Sequence, residues 1–280
     1  MNVWYRSPIV APLILALFAY PSVAGSTVEN PTKTEFERQL IPHRAVYSMQ
    51  LNSEDDTGPL EGARGAMTYS FQDRCEGWEV ETKVFLVLSY SGRPDVESTR
   101  TFRTWETKDG LDFRFNVVEA QNGQPEPEIK GVAVLDGKNQ GGVAEYTKPR
   151  ALKVQLPKGT VFPTEHIGLL VDQAAAGAYH FGKTVFDGSA LKNPYEISAI
   201  IGKPRPEATA MARLKLPDAR QWRARMAYFP VRDKTQTPEF ELTVQFREDG
   251  IVSQLIQDFG DYTIEANLDQ IEILPLAPDC

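Results

Sequence analysis

Cysteine and histidine are scarce in this chain: two cysteines, Cys75 and Cys280, and three histidines in 280 residues. A structural zinc site needs four nitrogen or sulfur ligands at short spacings, and His43, His166 and His180 do not supply them with two distant thiols. Neither cysteine sits in a Cys-x-x-Cys motif, which removes dithiol redox catalysis. No Gly-x-Ser-x-Gly elbow occurs, so the strand-to-helix nucleophile of the α/β-hydrolases is missing. Excess positive charge is lacking too: 38 acidic residues outnumber 30 basic ones, for a net charge of −8. That balance argues against nucleic acid or an anionic lipid surface as the main partner, since both call for broad basic surfaces. Beyond the first two dozen residues no apolar run approaches the roughly 20 residues of a membrane span.

What is present begins with an export leader. Arg6 is the only charge before an apolar run, Ile9–Ala19, and Ser22-Val23-Ala24 places small residues before Gly25. This is the three-part pattern of a cleaved signal peptide over 1–24. No cysteine stands at the cut to carry a lipid. Residues 25–40 are polar and patternless and read as a flexible lead-in, leaving 41–280 as a single folded domain. Loss of Arg6 takes the net charge from −8 to −9, and the product is expected to be soluble and periplasmic.

Export changes the meaning of the two thiols. Outside the reducing cytosol, two lone cysteines favour a disulfide over separate thiols or a metal site. Such a bond joins the last residue to one 205 positions earlier (280 − 75). In the chain-entropy model a loop of that length is worth about 5 kcal/mol.

From His43 onward the pattern has period two. Trp78, Val80, Val84, Leu86 and Leu88 share one face, while Glu79, Glu81 and Lys83 share the other, as a half-buried strand requires. Similar strands are expected over 97–105, 111–119, 129–135, 143–146 and 152–156, then over 184–187, 195–201, 221–229, 239–247, 251–259, 262–266 and 271–274. Turn signals such as Lys108-Asp109-Gly110, Asn122-Gly123 and Glu248-Asp249-Gly250 separate them. One segment is different. Thr164 is placed to cap a helix, with Ile167, Leu170, Val171, Ala174 and Ala178 on one face. The expectation is all-β, mainly antiparallel, strongly curved, about a dozen or more strands, with one main α-helix near residues 164–180.

The motif hits resolve into structure rather than chemistry. Gly177-Ala-Tyr-His-Phe-Gly182-Lys183-Thr184 matches the phosphate-binding loop pattern, but a helix leads in and a strand leads out, the reverse of what that loop needs. Gly177 or Gly182 instead ends the helix, and Lys183 faces solvent. Asp187-Gly188-Ser189 reads as a turn. His43, His166 and His180 suit core or surface roles. Asp55/Asp56 and Glu126/Glu128 sit in loops that lack the fixed spacing of paired-carboxylate catalysis. Arg223 and Arg225, interleaved with Trp222 and Tyr228, suit the wet face of a strand, with anion binding as the alternative.

Several segments carry a family likeness in order: His43-Arg-Ala-Val-Tyr47, Cys75-Glu-Gly-Trp78, Leu156-Pro-Lys-Gly-Thr160, Phe162-Pro-Thr-Glu-His166, Asp258-Phe-Gly-Asp-Tyr262 and the terminal Cys280. Together they resemble the EipB-like cell-envelope-integrity proteins of Gram-negative bacteria. The resemblance implies a periplasmic β-spiral or half-barrel with a helix, closed by a disulfide mapping onto Cys75 and Cys280. It implies a role in maintaining the envelope with no enzymatic activity assigned, and a periplasmic tetratricopeptide-repeat protein as a candidate partner; no cofactor is expected. The alternative is a lipid or lipoprotein carrier that holds a lipid or peptide ligand on an apolar concave face.

Overall fold

Alternating burial along nearly every segment gives fifteen strands and one helix among the described residues, which in the computed structural model are 40–52, 60–205, 214, 216–232, 236–260 and 262–277. The leader 1–24, nearly all of the lead-in 25–40, Asp55, Asp56 and Cys280 lie outside them. The strands are β1 (His43–Leu51), β2 (Leu60–Asp73), β3 (Gly77–Tyr90), β4 (Val96–Thr107), β5 (Asp112–Gln121), β6 (Gln124–Pro125), β7 (Ile129–Leu135), β8 (Gly142–Lys148) and β9 (Leu152–Leu156). After helix α1 (Pro163–Ala175) come β10 (His180–Val185), β11 (Tyr195–Ile201), β12 (Gln221–Pro230), β13 (Phe240–Arg247), β14 (Val252–Asp258) and β15 (Thr263–Ile273).

All strand pairs are antiparallel and form one sheet ordered β10-β11-β12-β13-β14-β15-β1-β2-β3-β4-β5-β7-β8-β9, with β6 attached to β5. This is the chain order written round a ring: β15 pairs with β1, and the ring is cut between β9 and β10. The sheet is therefore open, as the half-barrel expectation required. The cut falls where the chain passes through α1.

The seam is crossed by side chains rather than by a full ladder. Among the described residues only Val161 and Val185 form a bridge across it, with the Val161 N–H donating to Thr184 O at 3.0 Å and the Phe186 N–H donating to Val161 O at 3.0 Å. Around this bridge Phe162 and Phe186, both fully buried, enter the cluster made by Phe113, Phe115, Tyr146 and Leu156 of β5, β8 and β9. Phe113 stacks on Phe162 at 4.9 Å, and Phe115 meets Phe186 edge-on at 5.5 Å. Each fully buried aromatic is worth about 2–3 kcal/mol in transfer, and each ring pair about 1 kcal/mol more. The loop after β10 is tied down as well: Tyr146 Oη donates to Ala190 O at 3.0 Å, and Arg100 Nη2 donates to Ser189 O at 3.1 Å.

Several boundaries differ from expectation, the largest of them for identifiable physical reasons. Expected strands at 262–266 and 271–274 are one strand, β15. A bulge in its pairing with β1 between Val46 and Tyr47 breaks the alternation that a sequence reading relies on. The helix stops at Ala175 rather than near 180. Gly177 at φ +79 takes the left-handed position, with Gly177 N–H to Ala174 O at 3.0 Å and Ala178 N–H to Gln173 O at 2.9 Å, a Schellman ending. As a result β10 begins at His180, four residues before the expected strand. Thr164 is not the cap either: Phe162 occupies that position without a side-chain bond, and Pro163 opens the helix.

Gly188 shows how tightly the seam is filled. Its φ is +68, and a Cβ there would lie 2.3 Å from Phe115 Cγ. Gly188→Ala is expected to cost about 3 kcal/mol from backbone strain and overpacking. In a chain of this size that lowers the melting temperature by roughly 6–12 °C, readable by calorimetry; an unchanged melt refutes the seam account.

Candidate functional site

The inner face of the sheet holds α1. Leu170, Val171 and Ala174 of the helix pack on Ile197, Trp222, Met226, Val244 and Phe246 of β11–β13. Two mostly apolar cavities flank it. One, of about 180 Å³, lies between the helix start and His43, Tyr69, Phe71 and Phe102. The other, of about 190 Å³, lies between the helix and Ile197, Met226, Tyr228 and Phe246. Pro163, Ile167 and Gly250 line both. Each cavity is smaller than the roughly 300–1,000 Å³ of ordinary small-molecule sites.

A buried carboxylate fixes the start of the helix. Glu106 of β4 is 2% exposed, and its Oε2 accepts the Thr164 N–H at 2.7 Å while Oε1 accepts the Glu165 N–H at 2.9 Å. These are two of the helix's first amides, which have no partner within the helix, and the negative charge meets the positive end of the helix dipole. Burial pushes the carboxyl up to about 7 against the pull of those amide bonds. Glu106 also borders a cleft with Asp73, Trp78 and Lys108. A raised carboxyl beside an aromatic and a second carboxylate is the composition of a general-acid site, but here the groups hold one another. Both Glu106 oxygens are occupied. Asp73 Oδ1 accepts from Lys108 Nζ at 2.7 Å and from the Cys75 N–H at 3.0 Å, and Lys108 Nζ lies 4.1 Å above the Trp78 ring.

The three histidines stand apart. His43, on β1, is buried; its Nδ1–H donates to Ile41 O at 2.7 Å, and burial lowers its pKa. His166, on α1, is 6% exposed and stacks on Phe181 at 5.7 Å. Burial, with Lys183 adding to it, holds its imidazole down to about 4, and its Nε2 has no hydrogen-bond partner among the described residues. His180, on β10, is exposed, with Nε2 3.1 Å from Ser198 Oγ. None of the three hydrogen-bonds a carboxylate among the described residues.

The remaining candidates fall as follows. Gly177–Thr184 runs from helix end into β10, so no helix N-terminus faces it; Lys183 is half-buried on the inner side, paired with Ile197, rather than facing solvent. Asp187-Gly188-Ser189 is a turn, with the Ser189 N–H on Asp187 Oδ1 at 2.8 Å. Glu128 accepts from Asn116 Nδ2 at 2.6 Å and pairs with Lys148, while Glu126 is exposed. Arg223 and Arg225 lie on the outer face of β12, and Trp222 and Tyr228 on the buried one, so the aromatics and cations interleaved in sequence are parted by the sheet. Among the described residues no group of three or more metal-ligating side chains occurs. Cys75 sits at φ +59 in the turn from β2 to β3, and the segment Leu274–Ala277 lines the same shallow cleft.

Sequence reasoning missed Glu106, because the expected strand stopped at Trp105. The available signal was parity: Phe102, Thr104 and Glu106 share the inward face of β4, which puts a charge at an apolar position.

The sign of its pH effect follows from the raised value. The folded form holds its proton up to about 7 against 4.5 for the ordinary carboxyl. Its stabilising contribution is complete below 4.5 and is lost as pH rises through 7. Relative to Glu106→Gln, the native chain should therefore gain about 3 kcal/mol on going from pH 8 to pH 4. His166 and His43, whose values are lowered, act in the opposite sense, so the native curve alone does not isolate Glu106. Urea unfolding of both proteins across this range reads the difference; a difference independent of pH rules the assignment out.

Comparison with known proteins agrees with this geometry. A family model described as EipB-like matches residues 35–275, which contain all fifteen strands and the helix. The cell envelope integrity protein EipB of Brucella abortus (strain 2308) is 29% identical over 243 residues, covering 84% of this chain and 85% of its own length. A crystal structure of a β-barrel-like protein of a domain of unknown function, also from Brucella abortus, has a TM-score of 0.78 and 27% identity. That match covers 85% of this chain and 99% of the other. With its open ring of antiparallel strands, the one inner helix among the described residues and a family match over residues 35–275, the chain belongs to the EipB-like family.

Proposed function

We propose that this protein supports cell-envelope integrity from the periplasm as a non-catalytic binding protein. It would hold a protein or another envelope component on its surface rather than ferry an acyl chain. The observation that carries the reading is the occupied interior: α1 fills the inner face, and the spaces on either side measure about 180 and 190 Å³. Family membership supports the envelope role, and the leader supports the compartment. The absence of enzymatic chemistry in this reading rests on the geometry of Glu106, Asp73, Lys108 and the histidines, whose reactive atoms are bound to neighbours, stacked or apart. A periplasmic tetratricopeptide-repeat protein stays the candidate partner that the resemblance implies.

The lipid-carrier reading has one observation in its favour. The two cavities share Pro163, Ile167 and Gly250, so outward movement of α1 would merge them into a longer apolar channel.

Deleting the gene is expected to sensitise cells to detergents and cell-wall antibiotics. Complementation with His43, His166 and His180 replaced one at a time should restore resistance; failure by soluble, folded variants would instead favour an enzyme that uses one of these histidines. Native mass spectrometry of protein taken from the periplasm should show the bare chain mass. A co-purifying lipid would turn the assignment to the carrier.

We also infer a disulfide between Cys75 and Cys280. The C-terminal segment is held beside β1 by Leu274 N–H to Pro42 O at 2.8 Å, and it continues to Ala277 in the cleft that Cys75 lines. Three further residues reach at most about 10 Å. Reductant and Cys280→Ser should each lower the melting temperature without abolishing the fold, because the core is large. Equal melts with and without reductant would refute the bond.

A further inference from the structure

The outer face of β11–β13 carries a feature that the acidic composition does not foreshadow. Lys203, Arg205, Arg223 and Arg225 converge on an open cleft of about 450 Å³, with Thr243 on its wall and Ile200, 41% exposed, beside them. All four cationic side chains are exposed. Arg225 is paired with Glu241, while Lys203, Arg205 and Arg223 have no ion pair among the described residues. Four positive charges less one leave an excess of three in a protein whose total is −8.

The backbone beneath is fixed. Gly202 N–H donates to Arg223 O at 2.8 Å and Arg205 N–H donates to Gln221 O at 2.9 Å, so the segment after β11 is stitched to β12 at two points. Arg223 and Arg225 are two apart on one strand, so they project from the same side about 7 Å apart. The cations are therefore carried on a rigid sheet face and a stitched edge, which reduces the ordering cost of binding.

We propose that this cleft is an oxyanion site that takes a phosphate-bearing group. Two guanidinium forks present more parallel N–H donors than the two oxygens of one carboxylate can satisfy, whereas a phosphate offers three or more acceptors and up to two charges. Arginine recognises phosphate bidentately, and the neighbouring lysine adds a point charge without a geometric demand. Thr243 supplies a hydroxyl, and Ile200 an apolar contact for whatever carries the phosphate. The site lies on the outer face and is independent of what the interior holds.

The test uses the mature chain at low ionic strength, titrated with inorganic pyrophosphate and followed by amide NMR and calorimetry. Saturable binding is expected, with the shifts centred on β12 and the 202–205 segment. The double substitution Arg223→Glu/Arg225→Glu should weaken it by at least about tenfold per lost contact, as removal of a charge-assisted hydrogen bond does. Arg223→Lys/Arg225→Lys should keep part of the affinity, because charge survives and the fork does not. Unchanged melting temperatures certify the fold of these surface variants. Flotation with phosphatidylglycerol vesicles against phosphatidylcholine vesicles separates the sources: vesicle binding lost in the double variant assigns a lipid headgroup, and pyrophosphate binding without vesicle binding assigns a soluble or glycan-linked phosphate. No saturable pyrophosphate binding, binding retained by the charge-reversed variant, or tighter binding of an acidic peptide than of pyrophosphate would each overturn the proposal.

Discussion

The packing of Phe162 and Phe186 into the Phe113–Phe115–Tyr146 cluster is the contact on which the rest of this structure depends. A sheet that follows chain order round a ring and joins its first and last strands, as β15 and β1 do, either closes completely or is cut elsewhere. Here the cut falls between β9 and β10, consecutive in the chain yet at opposite ends of the strand order. One bridge, Val161 with Val185, spans it. A ladder of backbone hydrogen bonds is replaced by five aromatic rings drawn from both sides of the gap. The exchange is favourable because a buried ring contributes about 2–3 kcal/mol by transfer, whereas a net backbone hydrogen bond contributes about 1 kcal/mol.

That choice places the helix. The chain leaving β9 must cross the gap before it can start β10, and an amphipathic helix can do so on the inner face. Both helix ends are then fixed by different physics. At the C-terminus Gly177 supplies the left-handed turn that sends the chain back into β10. At the N-terminus a carboxylate from a strand on the far side of the seam takes the place of a local cap. A local serine or threonine cap would satisfy the amides but would not bind the helix to β4. Glu106 does both, at the cost of a buried ionisable group whose raised value reflects that burial. Removing it would free the helix start from the wall that holds it, which no deletion of a local cap would do.

Much of this was legible in the sequence, because period-two burial is a local property. Strands 129–135, 152–156 and 195–201 have the expected limits, since each is a short alternating run with one buried face. Local reading failed where a distant partner decides the outcome. The bulge in β15 at Asp269, which falls between the Val46–Gln270 and Tyr47–Leu268 pairs, split that strand into two apparent ones. The first-turn cap comes from a residue about sixty positions away, so Thr164 was credited with a role it does not have. Gly182 hid the start of β10, because a residue without a side chain shows no alternation. At the candidate sites the parity of Arg223 and Arg225 was readable and correct. Their convergence with Lys203 and Arg205 was not, because it depends on the stitching of the segment after β11 onto β12. The pairing partner of Cys75 stays a matter of chemistry and chain reach, for Cys280 lies outside the described residues.

The division of labour between the two faces follows from the same constraint. A curved sheet offers its concave side as the obvious place to hold a ligand, but the crossing helix takes that space, and its flanking cavities are separated by Pro163 and Ile167. The outer face, where the strands carry charge, is then the place left for the binding proposed above. Clustering cations there costs little: two unit charges about 7 Å apart repel by only about 0.6 kcal/mol in the dielectric of water, and salt reduces this further. The same charges act together on one multivalent anion, since each added cation attracts it while the cations' mutual repulsion is already present in the free protein. An acidic protein can therefore carry one basic cleft at a small cost in stability. The surrounding negative charge then favours a compact anion that fits inside the cleft over an extended anionic surface that must cover its rim.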